Sequence, residues 1–108
     1  MQTEKILLTL TVPAAAALTP KRFVDVTGNM ASAGERSIGV ANASYDAGEM
    51  AGVATHGAIL VEAGAAIAAG AEVESDASGR AITKSTGVSN GVALDAAGAA
   101  GDVIRVLR

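Results

Sequence analysis

The chain has 108 residues and a formal charge of −3 at pH 7, and half of its residues are hydrophobic. Of these, 25 are Ala; with 13 Gly, the two smallest types fill 38 positions, which leaves 29 large apolar side chains and excludes a thick aromatic core. No Cys and a single His exclude a disulfide framework and a zinc cluster, and positive mean hydropathy with so small a charge argues against disorder.

The first element announces itself by alternation. Ile6, Leu8, Leu10 and Val12 fall on one face, and Lys5, Leu7, Thr9 and Thr11 on the other. A period of two predicts a strand over 6–12 with one buried side. Pro13 ends it, since proline brings no ladder donor. Residues 6–17 have a faint likeness to a secretory leader. Against it, residues 1–5 carry no net positive charge and Thr9 and Thr11 interrupt the apolar run, so a mature first strand is expected. No run reaches the ~18 apolar residues of a membrane span.

Ala14 to Ala17 favour helix, but they sit between Pro13 and Pro20, too short a stretch to nucleate one. Phe23, Val24 and Val26 predict a second short strand, closed by Thr27-Gly28-Asn29. After a small polar loop, 38–43 predicts a third. Asp46-Ala47-Gly48-Glu49 is a turn, with Asp bonding the backbone ahead and Gly supplying positive φ. Residues 50–54 and 58–61 follow as two strands, with Gly57 as a bulge or bend between them. Val73 centres another strand, Asp76-Ala77-Ser78-Gly79 turns the chain, and 81–84 returns. Strands over 91–94 and 103–107 complete the chain. About nine short strands between Gly-rich turns predict an all-β barrel or sandwich with little helix, and one domain over 1–108 is expected at this length.

The two halves resemble each other. Residues 10–18, Leu-Thr-Val-Pro-Ala-Ala-Ala-Ala-Leu, align with 59–67, Ile-Leu-Val-Glu-Ala-Gly-Ala-Ala-Ile, at an offset of 49 that still holds at Val24 and Val73. Gly39-Val40-Ala41 then matches Gly91-Val92-Ala93, Ala47-Gly48-Glu49 matches Ala100-Gly101-Asp102, and Val53 matches Val106. The order of Val, Gly and acidic landmarks carries the match, since Ala aligns with anything. Segments 10–54 and 59–107 are expected to be copies of one β unit, each covering the other's apolar face.

No catalytic constellation is found. His56 has no second His or Cys to share a metal, and there is no Cys nucleophile and no Gly-x-Ser-x-Gly elbow. Residues 79–85 echo a phosphate loop, but Thr83 stands where the Gly before Lys84 is required. Lys84 also follows a hairpin tip rather than occupying it, unlike the modified lysine of lipoyl and biotinyl carriers. Glu72, Glu74 and Asp76 alternate along one strand; such spacing suits a cation or an acid/base pair, but more often marks the wet face of a half-buried strand. Asn42-Ala43-Ser44 fits the glycosylation pattern, which is frequent by chance. The eight Lys and Arg are scattered, with Lys21–Arg22 the one adjacent pair, whereas phosphate backbones call for clustered cations. The expectation is a protein that is not an enzyme, holds no cofactor or metal, and binds neither nucleic acid nor membrane.

Several elements in order resemble a known family. They are Arg22-Phe23-Val24, Ile38-Gly39-Val40-Ala41, Asp46-Ala47-Gly48-Glu49, the run from Gly64 to Val73, the run from Ser75 to Ala81, and the run from Ala100 to Val106. Over 22–107 the chain resembles the small capsid cement, or head decoration, proteins of tailed bacteriophages. The resemblance implies an all-β protein that binds the outside of the assembled head and reinforces the lattice of major capsid protein. It carries over no catalytic motif and no capsid-contacting signature. It implies as partners the major capsid protein and further copies of the chain, a homotrimer suiting shell positions of local threefold symmetry. It implies a place on the outer virion surface after synthesis in the host cytoplasm.

Gln2, Thr3, Glu4, Lys5, Ile6 and Leu7 are the expected capsid-facing segment, with an edge free to add a strand to a neighbour. Tyr45 and Met50 are candidate capsid or subunit interface anchors, because large side chains are scarce here and aromatics are enriched at hot spots. Phe23 is a third, with the core as its favoured place. The alternative function is a carbohydrate-binding or adhesin-like β module, which normally shows exposed aromatics for stacking on sugars.

Overall fold

The structure, a computed structural model, describes residues 3–108, and these contain strands, turns and loops without a helix. The strands are β1 (Lys5–Pro13), β2 (Phe23–Val24), β3 (Gly39–Ala41), β4 (Met50–Glu62), β5 (Val73–Ser75), β6 (Ala81–Thr83), β7 (Val92–Ala93) and β8 (Val103–Leu107). One sheet runs β2-β3-β4-β8-β7 with β1 also paired to β4, while β5 and β6 form a small second sheet. This is the expected all-β architecture, with eight strands rather than nine.

The difference lies in β4, where 50–54 and 58–61 join into one strand of 13 residues. Gly57 bends the strand without ending it. Its φ of +120° belongs to glycine, and a Cβ there would run into the Lys5 carbonyl oxygen. β1 follows one edge of β4. On the other edge β3 pairs with Val53 and Ala54 before the bend, and β8 pairs with Ala58 to Glu62 after it.

Alternation sends side chains of β2, β3 and β4 to two separate cores. Phe23, Val40 and Ala54 join Ile59, Val61, Val73, Ile104 and Val106 on one side. Val24, Ala41 and Val53 join Ala14, Leu18 and Ala51 on the other. Phe23 is fully buried, in its favoured place. The second strand stops at Val24 and leaves Val26 exposed. Asp25 turns the chain there, its Oδ1 accepting hydrogen bonds from the Thr27 amide and hydroxyl and from the Asn29 amide.

The halves share a hydrogen-bond pattern. The β1–β4 pairs from Thr9↔Ala54 to Pro13↔Met50 recur as the β4–β8 pairs from Ala58↔Leu107 to Glu62↔Val103, shifted by 49 on one strand and 53 on the other. Ala14 N–H donates to Glu49 O and Gly48 N–H to Ala14 O; Ala63 to Asp102 and Gly101 to Ala63 repeat this. The reciprocal pair Leu18 and Tyr45 is matched by Ile67 and Ala97. The first half of β4 thus takes part in one occurrence of the pattern and its second half in the other.

β1 departs from expectation. The alternation predicts one buried side, yet only Val12 is half-buried and every other residue of the strand is exposed. β1 pairs with β4 alone, and of its side chains only Val12 packs against a core. Ala58, Gly57, Ala54, Gly52 and Ala51 stand opposite Lys5, Ile6, Thr9, Thr11 and Val12, while Leu8 and Leu10 stand opposite His56 and Val53.

Candidate docking surface

The large apolar side chains left in solvent gather around β1. Ile6, Leu7, Leu8 and Leu10 lie on the strand itself, with Leu7 72 % exposed. Met50, 60 % exposed, is the ladder partner of Pro13 at one end. Leu107 lies at the other end, opposite Ala58, which is in turn opposite Lys5. Of the exposed large apolar residues among those described, only Val26 and Leu94 sit elsewhere. An apolar concentration of this kind marks an interaction site.

The backbone of β1 adds a second feature. Asn42 N–H donates to Gly52 O, so Gly52 turns its peptide groups toward the β3 side. Along a strand these directions alternate, so Ala51 and Val53 turn toward β1. Leu10 and Val12, opposite them, bond to β4, while Thr9 and Thr11 aim their amides and carbonyls away from it. No strand pairs with that outer edge among the described residues. Exposed edges are usually protected by charge, but no charged residue lies between Lys5 and Pro13. The strand is irregular only around Leu7 and Leu8, where the register shifts and Thr55 Oγ1 donates to Leu8 O at 3.0 Å.

Gln2 lies outside the described residues. Thr3, Glu4, Lys5, Ile6 and Leu7 are all exposed at the start of β1, and Met50 is exposed at its far end. Tyr45 belongs elsewhere: its half-buried ring packs on the second core, and its hydroxyl donates to Asn42 Oδ1 at 2.6 Å. With Phe23 buried as well, neither aromatic side chain offers the open platform that stacking on a sugar needs. Leu8, Leu10 and Leu107 also belong to the surface, although the sequence pattern placed Leu8 and Leu10 on a buried face. Leu7, an apolar residue on the face read as wet, was the available signal. Beside the start of β1 a recess of about 320 Å³ is lined by Glu4, Ile6, Lys21, Asn42, Ile59 and Leu60 among others.

The remaining polar groups stabilise turns and loops. Glu74, only 4 % exposed, accepts hydrogen bonds from the Ser85 amide and hydroxyl, which hold its carboxyl below the usual range. Asp76 folds back on its own turn, accepting from the amides of Ser78 and Arg80. Glu72 is exposed, so the three carboxylates share no wet face. Among the described residues no group of three or more His, Cys, Asp and Glu could hold a metal ion. His56 is exposed, one residue from the bend at Gly57.

Comparison with known proteins gives the family. The family described as phage cement protein matches residues 1–108. The chain belongs to the phage cement proteins. The likeness read from 22–107 therefore extends over the whole sequence, and the chain is a structural protein of the virion that binds the capsid. No curated protein matches this cement protein. Its fold is similar to the crystal structure of the N base of head fiber gp8.5 of bacteriophage phi29. The TM-score is 0.74 at 20% identity, covering 93% of this chain and 92% of that one.

Proposed function

We propose that this cement protein binds the outer surface of the phage head and stabilises the lattice of major capsid protein, docking through β1 and the residues beside it. The observation that carries the proposal is the nine-residue strand whose apolar side chains and outer edge its own fold leaves uncovered. Thr3 to Leu7, with Leu8, Leu10 and Met50, supply the contact, and Gln2 extends it. The chain works as one domain over 1–108 built from two copies of a β unit, which the recurring hydrogen bonds support.

Three copies assemble around a local threefold axis of the shell as a homotrimer. Each bridges neighbouring subunits, so release requires several contacts to break together. The protein is made in the host cytoplasm and acts as a structural clamp, without catalysis, cofactor, nucleic acid or membrane. Its acidic balance and scattered cations support that reading. Mixing the protein with empty expanded heads should give saturable co-sedimentation at a fixed copy number per head, and light scattering should report a trimer. Non-saturable or absent co-sedimentation overturns head binding, and a monomer at high concentration overturns the trimer.

A further inference from the structure

We infer that the outer edge of β1 takes up an extended, uncharged segment of the shell subunit as an added antiparallel strand. This rests on the proposed head binding and identifies the contact that provides it. The chain itself shows how such an edge is filled. The second half of β4 is the internal equivalent of β1, since Ala58 to Glu62 pair with β8 in the register in which Thr9 to Pro13 pair with β4. That half of β4 is covered on its other edge as well: Lys5 and Ile6 pair antiparallel with Ala58 and Gly57, and Leu60 N–H donates to Glu4 Oε1 at 2.9 Å. Leu60 is the equivalent of Thr11 in this register. One copy of the arrangement has this edge met by the ladder pairing of Lys5 with Ala58 and its Leu60 amide satisfied by the Glu4 carboxylate; the other presents the amides of Thr9 and Thr11 to the surroundings.

The occupant follows from charge, area and symmetry. From Ile6 to Val12 the strand carries no charge, so a charged incoming segment would lose its hydration against leucines without gaining a partner. An acidic residue at one end is the exception, placed over Thr11 as Glu4 is placed over Leu60. A second copy is the poorer fit. A stable dimer engages about 20–30 residues a side, well beyond a nine-residue strand and its few neighbours. Pairing of β1 with β1 would also be a twofold contact that joins copies in pairs. A shell contact of this size suffices when several copies engage at once.

The test is Thr11→Pro. Proline is tolerated on an edge strand when its nitrogen faces away from the ladder partner, so this variant should keep its fold and trimeric state while removing one outward donor. Its affinity for expanded heads should fall by about tenfold or more, because a shell carbonyl is left unpaired. Thr11→Val, which keeps the amide, should bind as wild type does. If Thr11→Pro fails to fold, amide exchange in the wild-type protein decides instead. The Thr9 and Thr11 amides should exchange freely in the unbound protein and be slowed on heads by about a hundredfold or more. A folded Thr11→Pro with unchanged affinity, or amides whose exchange is the same on heads, overturns the added strand while head binding stands. Loss of self-association instead of head binding assigns the edge to a second copy and overturns the proposal. Wild-type protein that does not bind heads overturns both readings.

Discussion

Glu74 and Asp25 each organise a loop from a buried position by gathering hydrogen-bond donors around one carboxylate oxygen. For Glu74 the Ser85 amide, then its hydroxyl, hold the carboxyl below the ordinary 4.5. For Asp25 burial pushes upward, but the donors on Thr27 and Asn29 outweigh it and hold the carboxyl below the ordinary 3.8. A carboxyl depressed in the folded state contributes stability above its unfolded pKa and loses it as pH falls through the folded value. Melting temperature should therefore be flat near neutrality and drop once pH falls below about 4.5. Glu74→Gln should melt lower than wild type at pH 7, with the gap closing toward pH 3 as the wild-type carboxyl protonates. An equal gap at both pH values would contradict this role. The Asp25 and Asp76 turns follow from local Asp chemistry that the sequence displays. The burial of Glu74 does not, because its partner Ser85 comes from beyond β6 and only the folded β5–β6 hairpin brings them together.

Strand positions were legible because the turns are chemically distinct. Asp46 to Glu49 and Asp76 to Gly79 stand where the chain reverses, and the strands flanking each turn pair. Whether alternation meant burial was not legible. The period of two in 6–12 shows that β1 is a strand, but what lies over its apolar face depends on distant packing, and only Val12 of that face meets a core. Gly57, expected as a bulge or bend between two strands, bends a single continuous one. The glycine admits the close passage of the Lys5 carbonyl, so β4 continues into the second unit. Gly57→Ala should cost about 1–3 kcal/mol from the positive φ alone, and more from the clash. Urea denaturation measures this, and an unchanged midpoint would show that the bend tolerates a side chain.

At the scale of the whole molecule, the abundance of Ala and Gly has two consequences. Buried Ala at 51, 54, 63, 81, 93 and 97 let the strands and turns of two similar units pack with little space between them. The scarcity of large side chains leaves β1 without a covering layer beyond Val12, whereas its equivalent, Ala58 to Glu62, pairs with β8 and meets Lys5 at Ala58 and Glu4 at Leu60 on its other edge. Apolar surface that the fold does not bury is available to the shell, which links the composition to the family's role in the capsid. The hydrogen-bond pattern shared by the two halves follows the Val, Gly and acidic landmarks of the sequence. The proposed docking surface was half readable: Thr3 to Leu7 and Met50 were named from the sequence and are exposed, while the exposure of Leu8, Leu10 and Leu107 is seen only in the fold. The most direct measurement compares wild type with Leu7→Lys in sedimentation with expanded heads. Leu7 is 72 % exposed, so the substitution should change stability by no more than about 0.5 kcal/mol. Wild type is expected to pellet to a fixed copy number per head while folded Leu7→Lys stays in the supernatant; equal saturation by the two proteins would contradict docking through β1.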